Sequence, residues 1–132
     1  MRRLAAPLVL LAGAVAADEA MTPRSFEAAA GGRTLHFTLD GQDFGSEQYL
    51  RDRRVLWRFA DGTCQHGRWW ADGARICFLY DNGGGPQCWL FRPRPGGFAA
   101  ALVEGDAETG FVLELAGTDT APLDCPGPWV GS

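Results

Sequence analysis

Glu47 is the acidic side chain best placed for chemistry among the sixteen Asp and Glu residues of this 132-residue chain. Three of the others sit in Asp-Gly steps, Asp40-Gly41, Asp61-Gly62 and Asp72-Gly73, where a short acid serves the turn itself. Glu47 lies beside Tyr49 in a segment that reads as a strand, so it can point inward. A glycosidase-like carboxylate pair needs a second inward acid at a defined separation, and Glu104 and Glu114 are the candidates. A Ser-His-Asp arrangement has little to draw on. Ser25, Ser46 and Ser132 are the serines, none in G-x-S-x-G, and His36 and His66 are the possible bases. Ser46, in Phe44-Gly45-Ser46-Glu47, reads as a turn residue. Gly83-Gly84-Gly85-Pro86 precedes no helix, so it lacks the geometry of a phosphate loop.

Four cysteines, Cys64, Cys77, Cys88 and Cys125, form an even set, which in an exported chain reads as two disulfides. Three pairings are possible. Cys77 and Cys88 flank the turn-rich Asp81–Pro86 and can face each other across a hairpin, so Cys77–Cys88 with Cys64–Cys125 is the preferred connectivity. No C-x2-C pair or tight Cys/His cluster is present, which argues against a zinc site. Oxidised cysteines also leave no thiolate nucleophile.

Trp57, Trp69, Trp70, Trp89, Trp129, Phe78, Tyr80 and Phe91 are many rings for a short chain. Small β folds bury such rings as ordinary core. They can also line a cavity for an apolar or sugar-like ligand, since eight-stranded barrels hold one small molecule. Trp57, Trp69, Tyr80 and Trp89 are the candidate cavity residues. Trp70 has the opposite parity to Trp69 and shares a face with Arg68 and His66; Arg68 and Trp70 are therefore the candidates for a protein-contact patch.

Composition narrows the classes further. All twelve basic residues are Arg and the formal net charge is −4, so Lys-dependent chemistry is excluded. Met1-Arg2-Arg3, the apolar run from Leu4 to Ala12 and Ala14-x-Ala16 have the layout of an export signal over residues 1–16. The run is too short to span about 30 Å of hydrocarbon. Cleavage after Ala16 or Ala17 removes Arg2 and Arg3, leaving a net charge of −6. Such a domain is poorly suited to nucleic acid or anionic lipid, and no other segment could cross a membrane as a helix.

The elements that must carry these residues are short. Residues 17–22 read as a disordered new N-terminus. Thr22-Pro23 is an N-cap followed by Pro at the first helical position, so a short helix is predicted over about 23–30, stopped by Gly31-Gly32. From Arg33 onward brief alternating runs predict strands near 34–39, 47–50, 55–59, 65–70, 75–80, 87–92, 98–103 and 111–115. The fold class is therefore all-β: a small antiparallel up-and-down meander of about eight strands, closed as a barrel or folded as two packed sheets. This domain covers residues 23–116, and 117–132 reads as an irregular tail tied by Cys125.

Turn parity sets which side chains share a face. A two-residue turn at Asp61-Gly62 would continue the face of Trp57 into Cys64, His66 and Arg68. A three-residue loop with Gly62 left-handed shifts parity by one. Trp57 then faces Gln65, and its side continues through Gly67 and Trp69 to Ile76, Phe78, Tyr80, Trp89 and Phe91. A single apolar surface results, so the bulged register is expected, with a two-residue turn at Asp72-Gly73.

The segments Gly31-Gly32-Arg33-Thr34-Leu35, Gly45–Leu50, Cys64–Trp69 and Ile76–Tyr80, with the later Cys88-Trp89, resemble a group of small exported alphaproteobacterial proteins, a domain family of unassigned function with a calycin-like β-meander. The resemblance covers about residues 26 to 92. It implies secretion and fold, and it carries no activity or site. The expectation is a periplasmic or secreted, non-enzymatic barrel module, without cofactor or metal, that binds a small ligand or a protein. The alternatives are an inhibitor of a secreted hydrolase and a carboxylate-based hydrolase built around Glu47.

Overall fold

The computed structural model describes residues 2–9 and 19–126. Residues 2–9 are exposed and without regular structure; the expected cleavage positions at Ala16 and Ala17, together with Trp129 and Ser132, lie outside the described residues. Helix α1 (Pro23–Ala30) precedes strands β1 (Thr34–Leu39), β2 (Gln42–Tyr49), β3 (Arg54–Phe59), β4 (Cys64–Asp72), β5 (Arg75–Tyr80), β6 (Gln87–Arg94), β7 (Gly97–Glu104) and β8 (Ala107–Asp119). Each strand pairs antiparallel with the next, and β8 returns to β1, closing an up-and-down barrel.

The hairpin between β3 and β4 sets the register. Phe59 N–H donates to Thr63 O, Gly62 N–H donates to Phe59 O, and Thr63 N–H donates to Asp61 Oδ1. Gly62 has φ +93°, a conformation that costs glycine little and a β-carbon more. The loop therefore holds three residues, Ala60-Asp61-Gly62, and Trp57 pairs with Gln65, as the parity argument requires. Across β4 and β5, Trp69 pairs with Phe78 and Asp72 with Arg75, so the two-residue turn is Gly73-Ala74, one position later than Asp72-Gly73. Cys77 stands opposite Cys88 on the outer face.

The strands differ from expectation where irregular pairing adds residues. β2 begins at Gln42 rather than Glu47. Phe37 pairs with Gly45 and Thr38 with Asp43, leaving Phe44 as the extra residue of a bulge, and Ser46 lies within the strand rather than in a turn. β8 begins at Ala107 rather than Phe111 and extends to Asp119, three residues into the span expected to be irregular tail. Ala116 is its extra residue against His36 and Phe37.

Four connections, at 40–41, 60–63, 81–86 and 105–106, share one end of the barrel by the up-and-down topology. Helix α1 closes the other end. Thr22 Oγ1 accepts from Ser25 N–H at the N-cap, and Phe26 projects into the barrel, fully buried. Its ring lies 4.4 Å from that of Phe91 and 5.4 Å from that of Trp69, with Tyr49 and Phe98 also in contact. Burying one such ring stabilises by about 2–3 kcal/mol. Arg53 fastens the helix from outside: its guanidinium lies 4.5 Å from the Trp69 ring centroid and 3.5 Å from Glu27 Oε2. Met21, expected within a disordered stretch over 17–22, is held instead: its N–H donates to Phe91 O and its side chain packs on the core.

Residues 120–126 follow β8 across the outer wall. Ala121 O accepts from Thr34 Oγ1, Leu123 N–H donates to Gln48 Oε1, and Asp124 O accepts from Arg58 Nε. Cys64–Cys125 ties this segment down and Cys77–Cys88 staples β5 to β6. Both pairings are the ones favoured from the sequence.

Candidate functional site

The barrel is not packed solid. Above the Phe26 plug a cavity of about 350 Å³ remains, lined from every strand and reaching the end that carries the four hairpin loops. Its upper wall is a belt of rings. Phe44 lies 5.9 Å from Trp57, 6.2 Å from Phe59 and 5.7 Å from Phe111, and Phe111 lies 6.0 Å from Trp89. Gly45 faces inward on the same wall, and a β-carbon there would stand 2.2 Å from Trp57 Cζ2. The indole thus occupies the room that a side chain at position 45 would need.

One wall is polar. Glu47 pairs laterally with Trp57, and Trp57 with Gln65, so the three form a row across β2, β3 and β4 with all three lining the cavity. Glu47 is 2% exposed. Tyr80 Oη donates to Glu47 Oε1 at 2.8 Å. Glu47 Oε2 and Gln65 Oε1 are buried with no hydrogen-bond partner among the described residues. Burial pushes the Glu47 carboxyl up to about 8, against a smaller opposing effect of the Tyr80 hydrogen bond. Burial, then the Glu47 charge, also holds the Tyr49 and Tyr80 hydroxyls well above the usual phenol range. At neutral pH Glu47 is therefore mostly a neutral acid, with one buried oxygen that has no hydrogen-bond partner among the described residues.

Trp57, Tyr80 and Trp89 line the cavity. Trp69 points to the same side but is 5% exposed and packed on Phe26. It belongs to the closed floor rather than to the cavity wall, because the helix fills the barrel at that depth. Arg68 and Trp70 lie on the outer face, opposite Leu79 and Cys77, away from the cavity. Among the acids weighed as partners of Glu47, Glu104 lines the cavity and Glu114 is exposed and does not. Glu104 ends β7 and is exposed, three strands round the barrel from β2.

Ser46, His36 and Asp119 do meet. His36 Nδ1 lies 2.6 Å from Ser46 Oγ and His36 Nε2 lies 2.8 Å from Asp119 Oδ2. The hydrogen bond to His36 holds the Asp119 carboxyl below its usual range. The group sits on the outer wall, with Ser46 in the middle of a strand paired on both edges. With both strand edges paired, the described residues offer no pair of free backbone N–H groups there to a developing oxyanion. The triplet acts as a polar clasp joining β8, β1 and β2 at the closing seam.

Sequence reasoning missed Phe44, Phe111, Leu102 and Gln65 as cavity residues. Gln65 had a signal, since the bulged register already set it opposite Trp57. Phe44 had none, because its inward position follows from the bulge. Comparison with protein-family models, curated proteins and solved structures finds no match.

Proposed function

We propose that the protein is a non-enzymatic barrel module, working outside the cytoplasm, that holds a small, largely apolar molecule inside the barrel. The observation that carries this reading is the aromatic cavity of about 350 Å³ with a buried carboxyl on its wall. Small-molecule sites are typically concave, mostly apolar and about 300–1,000 Å³, with a few placed polar groups. Two disulfides fit an oxidising compartment. The position of Glu104 at the rim, three strands from Glu47, favours binding over a carboxylate-pair reaction, which needs both acids flanking one bond.

The test is titration with prodan, a neutral solvatochromic fluorophore. Saturable one-to-one binding with a blue-shifted emission is expected, together with a shift of the thermal midpoint. Leu102→Trp, which adds bulk to the cavity wall, should weaken binding at least tenfold while near-ultraviolet circular dichroism still shows a folded core. Non-saturable binding, or equal binding by the variant, refutes the reading.

A further inference from the structure

The polar wall of the cavity says more about the occupant than its volume does. The lining presents two carboxyl side chains, Glu47 and Glu104, and two amide side chains, Gln65 and Gln87; it contains no Arg or His among the described residues. An anionic ligand would meet acids and no counter-charge. Two buried side-chain oxygens, Glu47 Oε2 and Gln65 Oε1, have no partner among the described residues, and both accept once Glu47 is ionised. They stand on either side of Trp57 in one lateral row. With neighbouring strands about 4.8 Å apart, their backbones are about 10 Å apart, a gap two long side chains can close on one group. A donor with several N–H bonds satisfies both at once, whereas a lone hydroxyl reaches one. Trp57, Phe44, Phe59 and Tyr80 add ring faces, which attract cations most strongly where water is excluded.

Resting on the cavity-binding reading above, we infer that the site selects an organic ammonium, a protonated amine on a compact apolar body, with the ammonium donating to Glu47 and Gln65 beside Trp57. Burial alone keeps Glu47 protonated near neutrality; an ammonium alongside reverses that balance. The binding step at pH 7 is then neutral Glu47 plus ammonium giving the carboxylate–ammonium pair and one proton released to solvent. The other titratable groups lining the cavity are Tyr49 on the same strand as Glu47, Tyr80 on β5 and the rim acid Glu104 on β7. Both phenols stay neutral through this range.

Three probes with the same phenyl body separate the possibilities in calorimetric titrations of the oxidised protein: phenethylamine, phenethyl alcohol and hydrocinnamate. The amine is expected to bind at least tenfold tighter than either at pH 8.5. Its affinity should rise about tenfold per pH unit between 6 and 7 and level off near 8, and at pH 7 the buffer dependence of the heat should report close to one proton released. Glu47→Gln should bring the amine to the affinity of the alcohol and abolish the proton release. Similar binding of all three probes, or tighter binding of the alcohol or the acid, overturns the ammonium inference and leaves the cavity reading standing. Binding of none overturns both.

Discussion

Replacing Glu47 by Gln should make the protein more stable above neutral pH, and the size of the effect follows from burial. Unfolded, the Glu47 carboxyl titrates near 4.5; folded, it holds its proton until about pH 8. Between those values the native state binds more protons than the unfolded state, so stability falls as pH rises through the window and levels off above it. At about 1.36 kcal/mol per unit, the loss is on the order of 5 kcal/mol, a large share of the total for a domain of this size. Gln keeps an acceptor for Tyr80 Oη and carries no charge to bury. The two proteins should therefore match near pH 4.5 and diverge steadily to pH 8. His66 works with the opposite sign: burial lowers it, with Asp81 opposing and Arg54 reinforcing, so it adds stability as pH rises toward 6.5. Both proteins share that contribution, and it cancels in the comparison. Urea unfolding at half-unit steps from pH 4.5 to 9, with tryptophan fluorescence as the probe, measures the difference directly. Equal slopes in the two proteins would mean that Glu47 is hydrated, and the reasoning about its wall would fail.

Two further perturbations probe the frame. Gly45→Ala sets a methyl against Trp57; it should destabilise by about 1–3 kcal/mol and, by driving the indole into the chamber, weaken prodan binding. Unchanged stability and binding would show that the wall yields freely. Replacing Cys64 and Cys125 together by Ser opens a bridge between residues 61 apart and should remove about 4 kcal/mol, read as a shift of the urea midpoint; a change under about 1 kcal/mol would show that the unfolded chain is already constrained.

The local grammar of the chain carried the fold a long way. Asp61-Gly62 could be read as a bulged turn because only that parity puts Trp57, Trp69, Phe78 and Phe91 on one side, and the pairing of Trp57 with Gln65 is that solution. Cys77 and Cys88 followed from the same count. What parity cannot supply is depth. Trp57 and Trp69 share a face, yet one lines a void and the other a floor, and the difference lies in Phe26, which reaches the barrel from a helix whose docking leaves no periodic mark in the strands. Bulges are equally silent: the extra residues Phe44 and Ala116 shift strand ends and bring a ring inward without a turn motif to announce them. Ser46, His36 and Asp119 meet through closure of β8 on β1, a contact across 83 residues that no local pattern encodes.

That closure also bears on how the chain reaches its native form. The first strand finds its second partner only in the last one, and the segment beyond it is pinned through Cys125 to the middle of the sequence. Ring formation must therefore wait until the chain through β8 is present, and contacts so distant along the chain slow the search. Assembly is then a late, all-at-once event, with the Cys64–Cys125 bond acting as a latch set after the wall has come round.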